Sequence, residues 1–492
     1  MKPWPKHPLI YEINTWVWLH ELGRKYKSTI TLATVPAEEW DRLSSIGADA
    51  IWFMGVWERS PSGIEIAMQN QGLLEDFRRA LPDFSPEDNV GSPYCVRSYV
   101  VDEHLGGPMG LAAARSILRE RGMRLILDFV PNHVAPDHPW VNDDPEYFIQ
   151  GKTDDARSNP SSFIEAGGRV FACGRDPYFP AWPDVLQLNA FQPRLRQAVI
   201  DTIAEIARQC DGIRCDMAML MLNNIFERTW GYRAGEKPVD DYWTTVIPAL
   251  KAKWPEFRFI AEAYWDLEWE LQQQGFDYCY DKTLYDRMEH GGAENVRLHL
   301  LADLSYQDGM VRFIENHDEP RAAATFPFGK GRAAAVAIRT LTGARLLHEG
   351  QFEGLRVRLP VFLGRRPAES LDHDLAGFYH NLLKAINNDV FRNGEWRLCE
   401  QSGWPDNQSW RNILAWCWVK DEEHYVIVIN FWEGPTQALV HVPWDELRGK
   451  KWRFNDVLSG ESYDRSGDEI RNAGLYVDLG PWECHLFQVR AL

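Results

Sequence analysis

The sequence predicts an α/β protein built on a (β/α)8 TIM barrel, with a small domain inserted after the third strand and an antiparallel β-domain at the C-terminus. Three observations predict this fold. Eight apolar segments alternate with eight helical ones, two long connections leave the ends of strands, and short alternating runs begin near residue 389. We expect the barrel in residues 1–131 and 190–388, the inserted domain in 132–189 and a β-sandwich-like domain in 389–492.

The predicted barrel strands are continuously apolar and rich in β-branched or aromatic residues, as strands buried on both faces should be. They are Ile10–Trp18, Ala50–Val56, Arg124–Phe129, Gly212–Asp216, Phe257–Glu262, Phe276–Tyr280, Met310–Glu315 and Ala344–His348. The predicted helices between them are Pro36–Ile46, Leu111–Arg121, Pro193–Gln209, Asp240–Lys253, Asp266–Gln274, Leu284–Leu301, Lys330–Thr342 and Asp372–Asn388. Right-handed parallel crossovers of this number close into a barrel.

Two connections are far longer than the few residues usual between neighbouring elements. Glu58–Gly107 follows the second strand, and Pro131–Gln192 follows the third and is rich in Pro, Gly, Asp and aromatic residues. Both leave the carboxyl ends of strands, where barrel active sites lie. We interpret the second as the inserted domain and expect both to wall in the site.

After about residue 388 the pattern becomes that of short antiparallel strands separated by turns. The predicted strands are Trp396–Leu398, Ile413–Trp418, Tyr425–Phe431, Ala438–Val442, Lys451–Phe454, Gly474–Val477 and Cys484–Val489.

Composition narrows the class of partner. The 492-residue chain carries a formal net charge of −18 and no prominent run of Lys or Arg, which argues against a nucleic-acid partner. No apolar run reaches the roughly 18 residues of a membrane helix, so we expect no membrane partner. The eight cysteines fit no zinc or redox spacing, which predicts a cytoplasmic protein with reduced thiols. The oligomeric state stays open.

Polar residues end the predicted strands, and burying them is costly unless function requires it. Asp128 lies in strand three and Asn132 and His133 follow it, Arg214 and Asp216 end strand four, Glu262 ends strand five, and Asn316 to Asp318 follow strand seven. Carboxyl ends of barrel strands share one face, so we expect these groups to meet in one cleft.

The chemistry of retaining glycoside cleavage fits these groups. It needs a carboxylate that attacks C1 and a carboxylic acid that protonates the leaving oxygen, roughly 5–5.5 Å apart. Neighbouring strands lie about 4.8 Å apart, so Asp216 and Glu262 can meet that requirement. Arg214 can hold Asp216 ionised. His133 and His317 offer N–H donors to sugar hydroxyls, and Asp318 offers a further carboxylate to the charged transition state.

Together these segments resemble the ordered signature regions of glycoside hydrolase family 13, the α-amylase family, and in particular its oligosaccharide-acting members. The motifs are D-x-x-x-N-H at Asp128–His133, G-x-R-x-D at Gly212–Asp216, the strand-five Glu262 and N-H-D at Asn316–Asp318. The resemblance implies that Asp216 is the nucleophile, Glu262 the acid/base and Asp318 the transition-state stabiliser. It implies that Tyr94, His133, Arg214, His317 and Arg321 bind substrate, and that Asp128 is supporting structure.

The chain departs from the family pattern after the nucleophile. Met217–Leu222 is apolar where many members place Lys and His to hold the sugar beyond the cut, and Cys95 stands where many exo-glucosidases carry Asp. Either Met217–Leu222 lines a poor acceptor side or it packs beneath a helix. With Trp52, Trp57, Trp182 and Trp265 as further candidates to narrow the cleft, we expect short α-glucosides to be preferred over starch.

We expect no required cofactor, and the ligands of any metal stay unknown at this stage. The family's usual calcium site would join Asn132 to an acid of the inserted domain and to a backbone carbonyl after the nucleophile. Asp137, Asp143, Asp144, Asp154, Asp155 and Asp184 are the candidate acids, but Gln187 replaces the usual Asp of a short family signature.

Three functions remain open from sequence. The first is a retaining α-glycoside hydrolase that acts on short α-glucosides or oligosaccharides through a covalent glycosyl-Asp intermediate. The second is a transglycosylase or glycosyl-moving isomerase that uses the same intermediate. The third is a non-catalytic relative that binds a sugar or a partner. The first two share every catalytic residue and differ in what reaches the intermediate.

Overall fold

The computed structural model describes residues 3–492 and contains a closed eight-stranded barrel. Its strands are β1 (Leu9–Asn14), β2 (Ala50–Met54), β3 (Arg124–Phe129), β4 (Gly212–Cys215), β5 (Arg258–Ala261), β6 (Tyr278–Tyr280), β7 (Met310–Arg312) and β8 (Ala344–His348). Each strand lies beside the next one in sequence, and β8 lies beside β1. The predicted (β/α)8 barrel is confirmed.

The register of the central strands decides which residues leave the barrel together. Parallel pairing places Cys215 of β4 opposite Ala261 of β5. The next residues, Asp216 and Glu262, therefore emerge side by side at the carboxyl ends of their strands. The backbone N–H of Asp216 donates to Phe129 at 2.8 Å, and that of Glu262 donates to Cys215 at 3.0 Å, so both residues are fixed by the ladder.

The helices follow the predicted order with adjusted ends. They are Thr15–Tyr26, Ala37–Ser45, Gly107–Glu120, Pro193–Ala207, Asn223–Trp230, Tyr242–Lys251, Glu268–Gln273, Lys282–His290, Ala293–Leu300, Leu304–Asp308, Ala322–Thr325, Phe328–Thr340 and His373–Ile386. Several predicted ends were wrong, and two of the differences have a clear local cause. The strand predicted to reach Trp18 ends at Asn14, whose side chain caps the next helix. The single helix predicted over Leu284–Leu301 is interrupted at Gly291 and Gly292.

Both long connections carry their own structure. After β2, the strands Trp57–Arg59 and Val96–Val101 pair, with helices Pro61–Gln69 and Gln71–Ala80 between them. After β3, a four-stranded sheet has the order His133–Val134, Trp182–Gln187, Arg169–Gly174 and Phe163–Ala166. The strand His133–Val134 pairs with Trp182–Gln187, and His133 lies opposite Gln187. The inserted domain therefore begins directly after the end of β3.

The C-terminal part forms two antiparallel sheets, as predicted. The six-stranded sheet has the order Glu395–Leu398, Ile413–Lys420, Glu423–Asn430, Cys484–Ala491, Lys451–Asp456 and Ser462–Ser466. The three-stranded sheet contains Glu400–Ser402, Thr436–His441 and Leu475–Leu479. A buried apolar cluster that includes Val426, Val440 and Phe487 contains residues of both sheets.

The chain forms two compact units. One contains Tyr11–Tyr280 and Val357–Ala368, and the other contains Trp4–Ile10, Asp281–Arg356 and Glu369–Leu492. Strands β2 to β6 and the inserted sheet belong to the first unit, and β7, β8 and the C-terminal sheets belong to the second. The predicted domain limits at 131, 189 and 388 stay predictions. Within residues 3–492, no helix is both long enough and apolar enough to cross a bilayer.

Candidate active site

Arg214 lies at the centre of the candidate site in the first unit. It belongs to β4, and its side chain is 0% exposed. Its Nη1 lies 2.7 Å from Asp216 Oδ1, and its Nη2 lies 2.8 Å from Glu262 Oε2. One guanidinium thus contacts both predicted catalytic carboxylates, which brings together three of the residues that the sequence assigned to the site.

Aromatic rings surround this guanidinium. The ring centroids of Tyr94, Trp52 and Tyr280 lie 5.1, 5.5 and 5.6 Å from the Arg214 Cζ atom. Burial by these rings would lower the pKa of Arg214, but the neighbouring carboxylates, with Glu262 foremost, hold it well above its usual value. Arg214 is therefore a permanent buried cation, and its field favours the ionised form of Asp216.

Glu262 accepts from two further donors. The backbone N–H of Met217 donates to its Oε2 at 2.6 Å, and the Tyr264 hydroxyl donates to its Oε1 at 2.8 Å. Met217 has φ +43°, a left-handed conformation that costs a non-glycine residue about 1 kcal/mol. All these donors favour the ionised form of Glu262, which is the form left after it gives up a proton as a general acid.

His133 lies at the root of the inserted domain, next to the site. Burial lowers its pKa to about 3, which a hydrogen bond to the Tyr94 backbone opposes only in part, so the ring is neutral near pH 7. Its Nδ1 lies 3.2 Å from the Asn132 side-chain amide nitrogen. The half-buried Trp182 ring lies 5.2 Å from it between centroids. The structure thus places His133 with Tyr94 in the first unit.

The second unit carries the remaining predicted residues. His317 Nε2 lies 2.9 Å from Asp318 Oδ2, and the Asp318 side chain is 39% exposed. The Asn316 side chain accepts from the backbone N–H groups of Asp318 and Glu319, each at 2.9 Å, which fixes the turn after β7. Asp318 is accordingly held by its neighbours and still open to a ligand.

Arg321 is buried and engaged within its own unit. Its Nη1 donates to Glu315 Oε1 and to the Glu349 carbonyl, both at 2.7 Å, and lies 2.9 Å from His348 Nδ1. These contacts tie the segment after β7 to the end of β8. A direct contact of Arg321 with substrate stays a prediction.

The proposed apolar wall after the nucleophile is wrong for most of its length. Met219 and Leu220 are buried in a short turn, Ala218–Met221, that packs beneath the helix Asn223–Trp230. Packing therefore explains these residues. Trp52 and Trp57 are buried as well and cannot narrow a cleft.

Two of the four tryptophans remain candidates for a sugar-facing surface. Trp182 and Trp265 are partly exposed. The Trp265 ring packs edge-on against Tyr178 of the inserted domain at 4.8 Å between centroids, and the Arg228 guanidinium lies 4.9 Å from the Tyr178 ring. Trp265 itself has φ +66°. Trp265 lies three residues after Glu262, and its pair with Tyr178 offers apolar surface to a sugar ring.

Sequence reasoning missed some of the contacts that shape the site. Tyr264 lies two residues after Glu262 and so shares its side of the extended chain, a signal that could have assigned it. Tyr280 is the last residue of β6, and its position at the end of a barrel strand could have placed it among the predicted site residues. The role of the Met217 backbone N–H could not be predicted from the sequence, because it depends on a left-handed conformation that is unusual for methionine.

The residues present do not fit the calcium site that the family resemblance implies. The Asn132 Oδ1 atom accepts a hydrogen bond from the Gln187 side-chain amide at 2.9 Å, so an N–H donor faces the atom that would bind the ion. Among the candidate acids, Asp137 accepts from Ser60 Oγ at 2.6 Å, and Asp144 and Asp155 pair with arginines.

Comparison with known proteins agrees with this arrangement. Residues 37–416 match the family model described as "Alpha amylase, catalytic domain". The chain is 24% identical to the alpha-amylase MalA of Haloarcula japonica, over 94% of this chain and 60% of that protein. It is 24% identical to the intracellular maltogenic amylase of Bacillus subtilis, over 52% of this chain and 42% of that protein. The chain thus spans less than two thirds of these relatives.

A solved structure supports the fold. The noncanonic maltogenic alpha-amylase AmyB from Thermotoga neapolitana superposes with a TM-score of 0.69 at 20% identity, covering 99% of each chain. Because the family match extends over most of the barrel, the chain belongs to the α-amylase family of glycoside hydrolases.

Proposed function

We propose that the protein is a retaining α-glycoside hydrolase that acts on short α-glucosides or oligosaccharides. The observation that carries the proposal is the buried Arg214 guanidinium, which contacts Asp216 at 2.7 Å and Glu262 at 2.8 Å. Two carboxylates held by one side chain suit the short separation of a retaining pair better than the wider one of an inverting pair.

In the first step, the Asp216 carboxylate attacks C1 of the sugar, while Glu262 gives its proton to the leaving oxygen. The bond from C1 to the leaving oxygen breaks, and a covalent glycosyl-Asp216 ester forms. Arg214 keeps Asp216 ionised, and Met217 N–H and the Tyr264 hydroxyl stabilise the carboxylate left on Glu262. By the family resemblance, Asp318 stabilises the positive charge on the sugar between these states.

In the second step, Glu262 takes a proton from water, whose oxygen attacks C1 from the side that the leaving group vacated. The ester bond breaks, the α-anomer is released, and Asp216 returns as a carboxylate. Two inversions at C1 give net retention.

The expected substrate length follows from the surroundings of Glu262. The long connections after β2 and β3 leave the carboxyl end of the barrel, and the Tyr178–Trp265 pair offers one sugar-sized stacking surface near Glu262. A short substrate needs no more than this. The names of the relatives, an alpha-amylase and two maltogenic amylases, are consistent with α-linked glucose units.

The proposal includes a cytoplasmic location. It rests on the eight free cysteines, seven of them buried, which a reducing compartment would preserve.

The test is a screen of α-linked disaccharides, small-aglycone α-glucosides, maltotetraose and soluble starch, with proton NMR of the first-formed product. We expect free sugar as the α-anomer and the highest kcat/KM on the short substrates. The β-anomer appearing first would overturn the mechanism, and starch as the best substrate would overturn the size preference. Transfer products in place of free sugar would identify the transglycosylase or isomerase. An Asp216→Ala variant that keeps full activity would favour a role without catalysis by this site.

A further inference from the structure

The Gln187 side-chain nitrogen lies among three carbonyl oxygens at the root of the inserted domain. Its Nε2 donates to the Asn132 Oδ1 atom at 2.9 Å and to the backbone carbonyls of Asn132 and Leu188 at 3.0 Å each. Gln187 is 0% exposed. Oxygens from the end of β3 and from the last strand of the inserted sheet thus converge on one atom.

The orientation of this amide is fixed by chemistry. Two of the three partners are backbone carbonyls, which can only accept, so the NH2 group of Gln187 must face them. The Oε1 atom on the other side accepts from the backbone N–H of Arg175 at 3.3 Å. A flipped amide would set oxygen against oxygen, so the assignment does not depend on a choice of orientation.

The orientation of the Gln187 amide also determines the orientation of the Asn132 amide and the position of the His133 ring hydrogen. The Asn132 side-chain atom that accepts from Gln187 must be its oxygen, Oδ1. The Asn132 Nδ2 atom therefore faces His133 Nδ1 and donates to it at 3.2 Å. The His133 Nδ1 atom therefore accepts, and the ring hydrogen lies on Nε2. A chain of hydrogen bonds thus runs from Gln187 through Asn132 to His133.

We propose that the Gln187 amide takes the place of a divalent cation at this joint and acts as a positioning residue for His133. A calcium ion at the family's usual site would need the Asn132 side-chain oxygen together with further oxygen ligands, usually carboxylates, whereas the Gln187 amide already donates to that oxygen and needs no carboxylate. The end of β3 is thus tied to the inserted domain by the chain itself, and the fold does not depend on calcium.

The first measurement is the thermal unfolding of the whole protein in EDTA and in millimolar CaCl2. We expect the two midpoints to agree within about 1 °C, because a cation that does not bind the native state adds no stability. A midpoint that falls in EDTA and recovers with CaCl2 would overturn the proposal.

The second measurement uses Gln187→Glu, which keeps the shape and replaces the donor by a carboxylate. In EDTA we expect its Tm to fall by about 5 °C or more, because four oxygens then face one another. In CaCl2 we expect most of this loss to be recovered, because the variant site can bind the ion. Gln150→Glu is the matched control, since Gln150 is an exposed residue of the same domain that donates to one carbonyl, Pro145 O. A Gln187→Glu protein as stable in EDTA as this control would contradict the proposal.

The third measurement needs no variant at residue 187. In the wild-type protein labelled with 15N-histidine, we expect the His133 ring to show the Nε2–H tautomer, with His133→Asn identifying its signal. The Nδ1–H tautomer would break the hydrogen-bond chain and overturn the positioning role. None of these measurements requires turnover, so they stand apart from a failure of the proposed hydrolysis.

Discussion

Tyr264→Phe isolates one donor to the catalytic acid. The substitution removes a single hydroxyl that donates to Glu262 Oε1 at 2.8 Å and leaves the ring in place. A hydrogen bond to a charged group contributes about 1.5 to 3 kcal/mol. Because Arg214 and the Met217 N–H still contact the other oxygen, we expect the lower end of this range, which corresponds to roughly a tenfold loss of kcat/KM.

The loss should depend on the leaving group. A glycosidic oxygen needs the proton of Glu262, and the charge left behind is what Tyr264 stabilises, whereas fluoride departs without a proton. We therefore expect a tenfold loss on maltose or another disaccharide and less than a twofold loss on α-glucosyl fluoride. The basic limb of the pH profile of kcat/KM should move to higher pH, because the ionised form of Glu262 has lost a donor.

The assay is steady-state kinetics on both substrates from pH 4 to 9. Tyr26→Phe is a suitable control, since its hydroxyl also bonds to carboxylates, Glu38 at 2.8 Å and Glu39 at 2.9 Å, that are not part of the candidate site. Equal losses on the two substrates together with an unmoved basic limb would refute the assignment of Tyr264 to Glu262.

Three further predictions follow from the same contacts. Glu262→Gln should be slow on poor leaving groups and much less impaired in the glycosylation step on activated aryl glycosides; equal, mild losses would argue against an acid/base role. Trp265→Ala should raise KM for maltooligosaccharides about fivefold, or ~1 kcal/mol, with little change on a small aryl glucoside, while Trp269→Ala, at a more exposed tryptophan, should leave both unchanged. Burial lowers the pKa of His133 to about 3 and that of His138 to about 4, so unfolding takes up protons below pH 6.5. Stability should therefore fall with pH between 6.5 and 4 by about 1.4 kcal/mol per pH unit for each histidine, and a His138→Gln variant whose Tm follows pH as steeply as the wild type would contradict this.

The barrel and the positions of its polar residues were predictable because both follow from local patterns. Short runs such as Leu125–Phe129, bounded by turn residues, indicate strands buried on two faces, and parallel topology then carries the residues at their carboxyl ends to one face. The side-by-side placement of Asp216 and Glu262 follows from their positions one residue beyond paired strand residues.

Other features depended on tertiary packing that periodicity does not reveal. The apolar character of Met219 and Leu220 is compatible with either a cleft wall or a packed interior. In the structure both residues are buried beneath a helix. Arg321 lies near a signature motif, yet its donors are used by Glu315 and the Glu349 carbonyl. Gln187 was noticed only as a departure, because its partners come together through the fold of the inserted domain.

The central claim is that Asp216 forms a covalent bond to the sugar. The most direct test is to trap that ester with a 5-fluoro-α-glucosyl fluoride, whose ring fluorine slows turnover of the intermediate, and to map the labelled peptide by mass spectrometry. We expect one added fluoroglucosyl group per chain, located on Asp216 and absent from an Asp216→Asn variant. A label on Glu262 or Asp318, or complete turnover to the β-anomer with no label on any carboxylate, would contradict it.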